Sequence, residues 1–99
     1  MRNHQPTISG KVHHSTVIFA FALFGRGVKV QSVFNDARAD CIDIKGTGHF
    51  NAHLQFDYRS KQVMATVYHR QNDKDVIATR IKSADQLRAL LAEWVIATY

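Results

Sequence analysis

The chain carries one cysteine, one proline and five glycines in 99 residues, and each scarcity removes a class of architecture. A lone Cys41 makes no intrachain disulfide and excludes a four-cysteine zinc site, which fits a reducing cytoplasm better than secretion. There is no low-complexity tract, linker or internal repeat, so residues 11–99 read as a single domain behind a loose, polar N-terminal arm at 1–10. Long apolar runs are missing as well. Val17–Phe24 (VIFAFALF) falls well short of the roughly 20 residues that cross a bilayer. Arg2 and Lys11 precede it and Ala20-Phe21-Ala22 has a small-x-small pattern. That pattern lies inside the apolar stretch and follows a long polar segment with Pro6, so a signal peptide is not expected.

Acidic residues are outnumbered, eight against thirteen Lys and Arg, for a formal charge of +5. The excess divides into +3 for residues 1–50 (six basic, three acidic) and +2 for residues 51–99 (seven basic, five acidic). No consecutive basic run exists. A diffuse surplus favours solubility and weak association with polyanions, and it does not by itself define a nucleic-acid groove. The 45% hydrophobic and 21% charged shares are those of an ordinary globular chain, one able to bury about two-thirds of its unfolded surface.

The second half has the clearer pattern. Phe50, Ala52, Leu54, Phe56 and Tyr58 alternate with His49, Asn51, His53, Gln55 and Asp57, which predicts a strand with one buried face. Gln62–His69 and Asp75–Ile81 flank the turn residues Gln71-Asn72-Asp73-Lys74 and predict a hairpin. Ser83 and Gln86 have capping-box spacing, Asp85 lies in the first helical turn, and Leu87, Leu90, Leu91, Trp94 and Val95 form an apolar stripe. Residues 62–97 therefore read as a hairpin followed by an amphipathic helix. In the first half, Ser15 or Thr16 could cap a helix ended by Gly25. The Gly25-Arg26-Gly27 link and the β-branched Val28–Phe34 favour instead two strands, with Val17–Phe24 central or at an interface. Asn35–Asp40 reads as a turn or short helical connection, and Cys41–Ile44 as a short strand. The expected class is α+β: an antiparallel meander of about five to six strands, packed on one face by a C-terminal helix.

No constellation of catalytic, metal or nucleotide type emerges, and no cofactor is expected. His13 and His14 are adjacent and point apart on a strand. His49 and His53 share a strand face but lie roughly 13 Å apart, too far to share one zinc. Cys41 lacks a glycine-rich elbow or a following helix start, and reads as a buried thiol. Lys45-Gly46-Thr47-Gly48-His49 matches neither the Walker spacing nor the dinucleotide fingerprint. Asp73 and Asp75 read as solvated turn acids.

A binding surface is inferred instead. With Arg59–Gln62 as a four-residue loop, Phe56 and Leu54 face Ala65 and Val67. His53 then lies across from Tyr68, Asn51 from Arg70, and Asp57 from Met64. The candidate binding residues are His53, Tyr68, Arg70, Asn51 and Met64, of types enriched at interfaces.

The stretch Val63–Leu91, with Asn72 and Lys74 in the turn, Val76-Ile77-Ala78 after it and Ser83-x-x-Gln86-Leu87 opening a helix, is similar to small phage-encoded inhibitors of type I-F CRISPR surveillance complexes. The resemblance covers about a third of the chain, leaves residues 1–50 without a counterpart and transfers no functional residue. It implies a compact antiparallel sheet with helical packing that binds a Cas protein subunit and catalyses nothing. The expectation is a non-enzymatic, cytoplasmic protein-binding module of mobile-element origin, with nucleic-acid binding and a small ligand-binding protein or enzyme as alternatives. A homodimer is also expected, because Val17–Phe24 has two apolar faces and Trp94, Val95, Ile96 and Tyr99 extend the apolar character.

Overall fold

A computed structural model describes residues 6–36, 39–46, 48–57 and 62–93. The elements are β1 (Thr7–Ile8), α1 (His14–Gly25), β2 (Val30–Asp36), β3 (Ala39–Ile44), β4 (Phe50–Asp57), β5 (Gln62–His69), β6 (Asp75–Ile81) and α2 (Ala84–Glu93). They build one six-stranded sheet in the order β1-β2-β3-β4-β5-β6, so the fold is α+β. Every pairing is antiparallel except β1 with β2, where Thr7 and Ile8 run parallel to Ser32 and Val33. The sequence reading places Thr7 and Ile8 in a loose arm, but here they form an edge strand.

The larger correction concerns Val17–Phe24, which is helical and not a strand. A short apolar run has no period that separates a buried strand from a buried helix, so its state is set by what meets it in space. Two contacts set it here. Thr16, Ala20 and Leu23, spaced four and three apart, are buried. The first turn is capped by Asp40 of β3, whose Oδ2 accepts from the His13 backbone N–H at 2.9 Å and from Thr16 Oγ1 at 2.7 Å. Neither Ser15 nor Thr16 is the N-cap. That position is His13, whose side chain makes no capping bond. At the other end Gly25-Arg26-Gly27 closes the helix in place of a hairpin. The Arg26 N–H bonds to the carbonyls of Ala22 and Leu23, and Gly27 takes a φ of +86° that favours glycine.

Asn35 and Asp36 belong to β2, and Ala39 and Asp40 to β3, so the expected turn over 35–40 is shorter. Its tip, residues 37 and 38, lies outside the described residues. Alternation in β4 holds: Ala52 and Leu54 are fully buried, between side chains that stay partly exposed. The β4–β5 register differs from the inferred one by two residues. Leu54 pairs with Ala65, Phe56 with Val63, Asn51 with Tyr68, His53 with Thr66, and Gln55 with Met64. A two-residue shift preserves parity, so every side chain keeps its face and only its partner changes. Tyr58–Lys61 lie outside the described residues.

The α2 cap forms as its spacing predicts. The Gln86 N–H donates to Ser83 Oγ at 3.1 Å, and Gln86 Oε1 accepts from the Lys82 N–H at 2.8 Å. Leu87, Leu90 and Leu91 join one buried cluster with Leu23 of α1 and with Val33, Ile42, Ile44, Leu54 and Val67 of the sheet. Trp94 and Val95 lie outside the described residues. Arg26 at the end of α1 meets Asp85 at the start of α2, with 3.1 Å between Nε and Oδ1.

Two stability measurements check this packing. Leu91 is fully buried, so Leu91→Ala is expected to cost about 2–5 kcal/mol in urea unfolding, and a loss below about 0.5 would contradict its place in the core. Asp40→Ala strips the partner from a buried hydroxyl and a helix-terminal N–H, and is expected to cost about 2–4 kcal/mol. Asp40→Asn keeps an acceptor oxygen and should recover part of that loss. If both variants unfold at the wild-type midpoint, the cap contributes nothing.

Candidate functional site

The strand parity that buries Leu54 and Val67 sends Asn51, His53, Gln55, Met64, Thr66 and Tyr68 to the opposite face. Beside them on β3 lies Asp43, paired in register with His53. The Asp43 carboxylate joins two neighbours: Oδ1 lies 2.8 Å from His53 Nδ1, and Oδ2 accepts from Ser32 Oγ at 3.3 Å. Serine, aspartate and histidine thus meet, but in the wrong order for nucleophilic catalysis. The carboxylate stands between hydroxyl and imidazole, so it is Asp43 and not the His53 ring that faces the Ser32 hydroxyl. What the contact does is fix the imidazole of His53 on the sheet.

His53, Gln55, Thr66, Tyr68, Asp73 and Asp75 line a shallow groove of about 440 Å³. Asp73 lies in the β5–β6 turn and Asp75 opens β6. Asp73 adopts a left-handed φ of +57°. Its N–H donates to the His69 carbonyl, and the Lys74 N–H donates to Asn72 Oδ1 at 3.0 Å. A register irregularity between Val67 and Tyr68 then sets Asp75 opposite Tyr68. The groove lining is therefore polar, with two acids and one tyrosine, in a chain whose overall charge is +5.

The five residues singled out from sequence share this face but do not form one site. His53 and Tyr68 line the groove. Asn51 and Arg70 instead clasp the β3–β4 turn: Asn51 Oδ1 accepts from the Gly46 N–H at 2.9 Å and from Arg70 Nε at 3.4 Å, while the Arg70 guanidinium also donates to the Gly46 carbonyl. These bonds satisfy backbone groups of the turn. Met64 pairs with Gln55 and is half-buried, outside the groove lining. Gln55 and Thr66 were readable from the same alternation. Asp43, Asp73 and Asp75 were not, because strand order and turn geometry carry them there.

Cys41 is buried in β3, and burial with Asp36, Asp43 and Asp40 nearby pushes its thiol up from 9.0 to about 11. A second depression of about 390 Å³ lies beside the start of α1, lined by His13, Ser15, Thr16, Phe56, Asp57, Gln62 and Val63. Its buried hydroxyl, that of Thr16, is already bonded to Asp40. Among the described residues no group of three or more His, Cys, Asp or Glu is placed to hold a metal, and no helix is long and apolar enough to cross a membrane. Comparison of the chain with models of known families, with characterised proteins and with solved structures returned no match.

The thiol gives a test of this electrostatic description. A pKa raised from 9.0 to about 11 cuts the thiolate fraction at neutral pH about 100-fold, so Cys41 should be alkylated at least that much more slowly in the folded than in the unfolded chain. The unfolded thiol loses its proton first as pH rises, so folding stability should decline between pH 9 and about 11, and a Cys41→Ala variant should lose that part of the slope.

Proposed function

We propose that this chain is a non-enzymatic accessory module that captures a protein partner on the polar face of its sheet, with α2 covering the opposite face. The observation that carries this reading is the groove at His53 and Tyr68. It is shallow and open, as suits a protein side chain more than an enclosed metabolite. Asp73 and Asp75 in its lining select a cationic side chain, with Tyr68 offering an aromatic surface for an arginine or lysine. The Ser32–Asp43–His53 order and the protonated state of the Cys41 thiol support a binding role over a catalytic one. A mobile-element origin and a cytoplasmic protein target rest on the sequence resemblance of Val63–Leu91 alone, which no comparison with known proteins returned.

The +5 charge favours a second reading, association with nucleic acid. Its basic residues are dispersed and the groove is lined by two acids, which repel phosphate, so that association would be weak and would use other surfaces.

The double variant Tyr68→Ala/Asp75→Lys removes the aromatic surface and inverts one acidic charge of the lining, at positions that are half-buried and exposed. Affinity capture from host lysate should lose its partner at least tenfold with this variant, at an unchanged melting temperature and with nuclease present. Capture at wild-type strength would refute the groove as the site. Capture abolished by nuclease, with affinity falling steeply in salt, would establish the nucleic-acid reading instead.

A further inference from the structure

Strand β6 ends the sheet. β5 pairs with one of its edges, and among the described residues no strand pairs with the other. Along such an edge alternate N–H and C=O groups point away from the neighbouring strand and stay outside its ladder. Edge strands are commonly blunted by a proline, a bulge or a covering element. Asp75–Ile81 contains no proline. Its register irregularity stands at the start of the strand, and pairing runs without a break from Ile77 to Ile81. Asp75, Val76, Ala78 and Arg80 are exposed, Ile77 and Thr79 are half-buried, and only Ile81 is buried.

The groove reaches this edge. Asp75 stands opposite Tyr68, and Ala78 stands opposite Thr66, so a single methyl group separates that part of the groove from the edge. Arg80, opposite Met64, follows on the same face. The polar face of β6 therefore runs from an acid at its start to a cation near its end. Tyr68 and Met64, which face that acid and that cation, are four residues apart. A strand added antiparallel continues the pairing that β2 to β6 already share. The two charges then fix the order of its side chains, with an acid beside Arg80 and, four residues later, a cation beside Asp75. Strands lie about 4.8 Å apart, so the long stem of an arginine or lysine passes Asp75 towards Tyr68, two strand spacings away. The alternate side chains of the added strand fall on the other face beside Ile77, which packs against the core, and apolar residues fit there.

We infer that the protein partner enters as an extended segment paired antiparallel with β6, in the order acid, apolar, polar, apolar, cation, with its cation lying over Asp75 towards Tyr68. This rests on the groove at His53 and Tyr68 being the capture site, and adds to it the backbone mode of binding and the charge order of the partner.

Amide exchange followed by NMR on the full chain tests it, with capped pentapeptides as probes. In the free protein alternate amides of residues 77–81 should exchange fast. Excess Glu-Val-Thr-Val-Arg should slow those amides at least tenfold, and the reversed order Arg-Val-Thr-Val-Glu should not. Only alternate peptide amides face β6, so of two N-methylated probes, one methylated at both valines and one at threonine and arginine, one should bind and the other should not. Asp75→Lys should remove the slowing. Amides of 77–81 that are all protected in the free protein, as an edge covered by a second copy would show, overturn the inference. So do equal slowing by the reversed peptide, binding of both methylated probes, and no slowing at all. If the strand mode fails while Tyr68→Ala/Asp75→Lys still loses the lysate partner, the groove remains the site and only the mode of entry is wrong.

Discussion

The fold turns on the carboxylate of Asp40. It stands at the start of β3, fully buried, and accepts from Thr16 Oγ1, from the backbone N–H of His13 and, through Oδ1, from Asn35 Nδ2 at 2.9 Å. One side chain thus ties the first turn of α1 to β3 and to the end of β2. A buried carboxylate is costly unless its oxygens are paired, and here the partners include a helix start, where negative charge is stabilised by the peptide dipoles. With the turn fixed, Ala20 and Leu23 are delivered to the core and Ile18 and Phe21 are turned away from it.

The sheet separates the two faces of the molecule by parity. Along β4 and β5 each core residue alternates with a polar-face residue, so the packing that stabilises Leu54, Ala65 and Val67 also fixes where His53, Thr66 and Tyr68 stand. Asp43 then holds the His53 ring in place. The groove rests on strands β4, β5 and β6, and of its lining only Asp73 comes from a turn.

Arg70 and Asn51 show that one residue type can serve the fold as well as a ligand. Arginine and asparagine on an exposed strand end have the composition of a binding patch, and these two spend their hydrogen bonds on the Gly46 backbone. A turn carbonyl and N–H need partners as much as a ligand does. Nothing in the identity of a side chain says which of the two it serves.

The strands of the second half, the hairpin turn and the α2 cap were legible in the sequence, because each rests on local regularities: period-two alternation in His49–Tyr58, turn residues at 71–74, and the Ser83–Gln86 spacing. The faces were legible for the same reason and survived a two-residue error in register. Three things were decided only by the tertiary structure. The helical state of Val17–Phe24 depends on Asp40, which lies 24 residues beyond Thr16 along the chain. The parallel pairing of Thr7–Ile8 depends on the position of β2. The groove depends on β3 lying beside β4, on the β5–β6 turn bringing Asp73 to it and on the pairing of Asp75 with Tyr68. Period and capping spacing are written within a few neighbouring residues, whereas a long-range cap and a charge cluster exist only once distant segments are brought together.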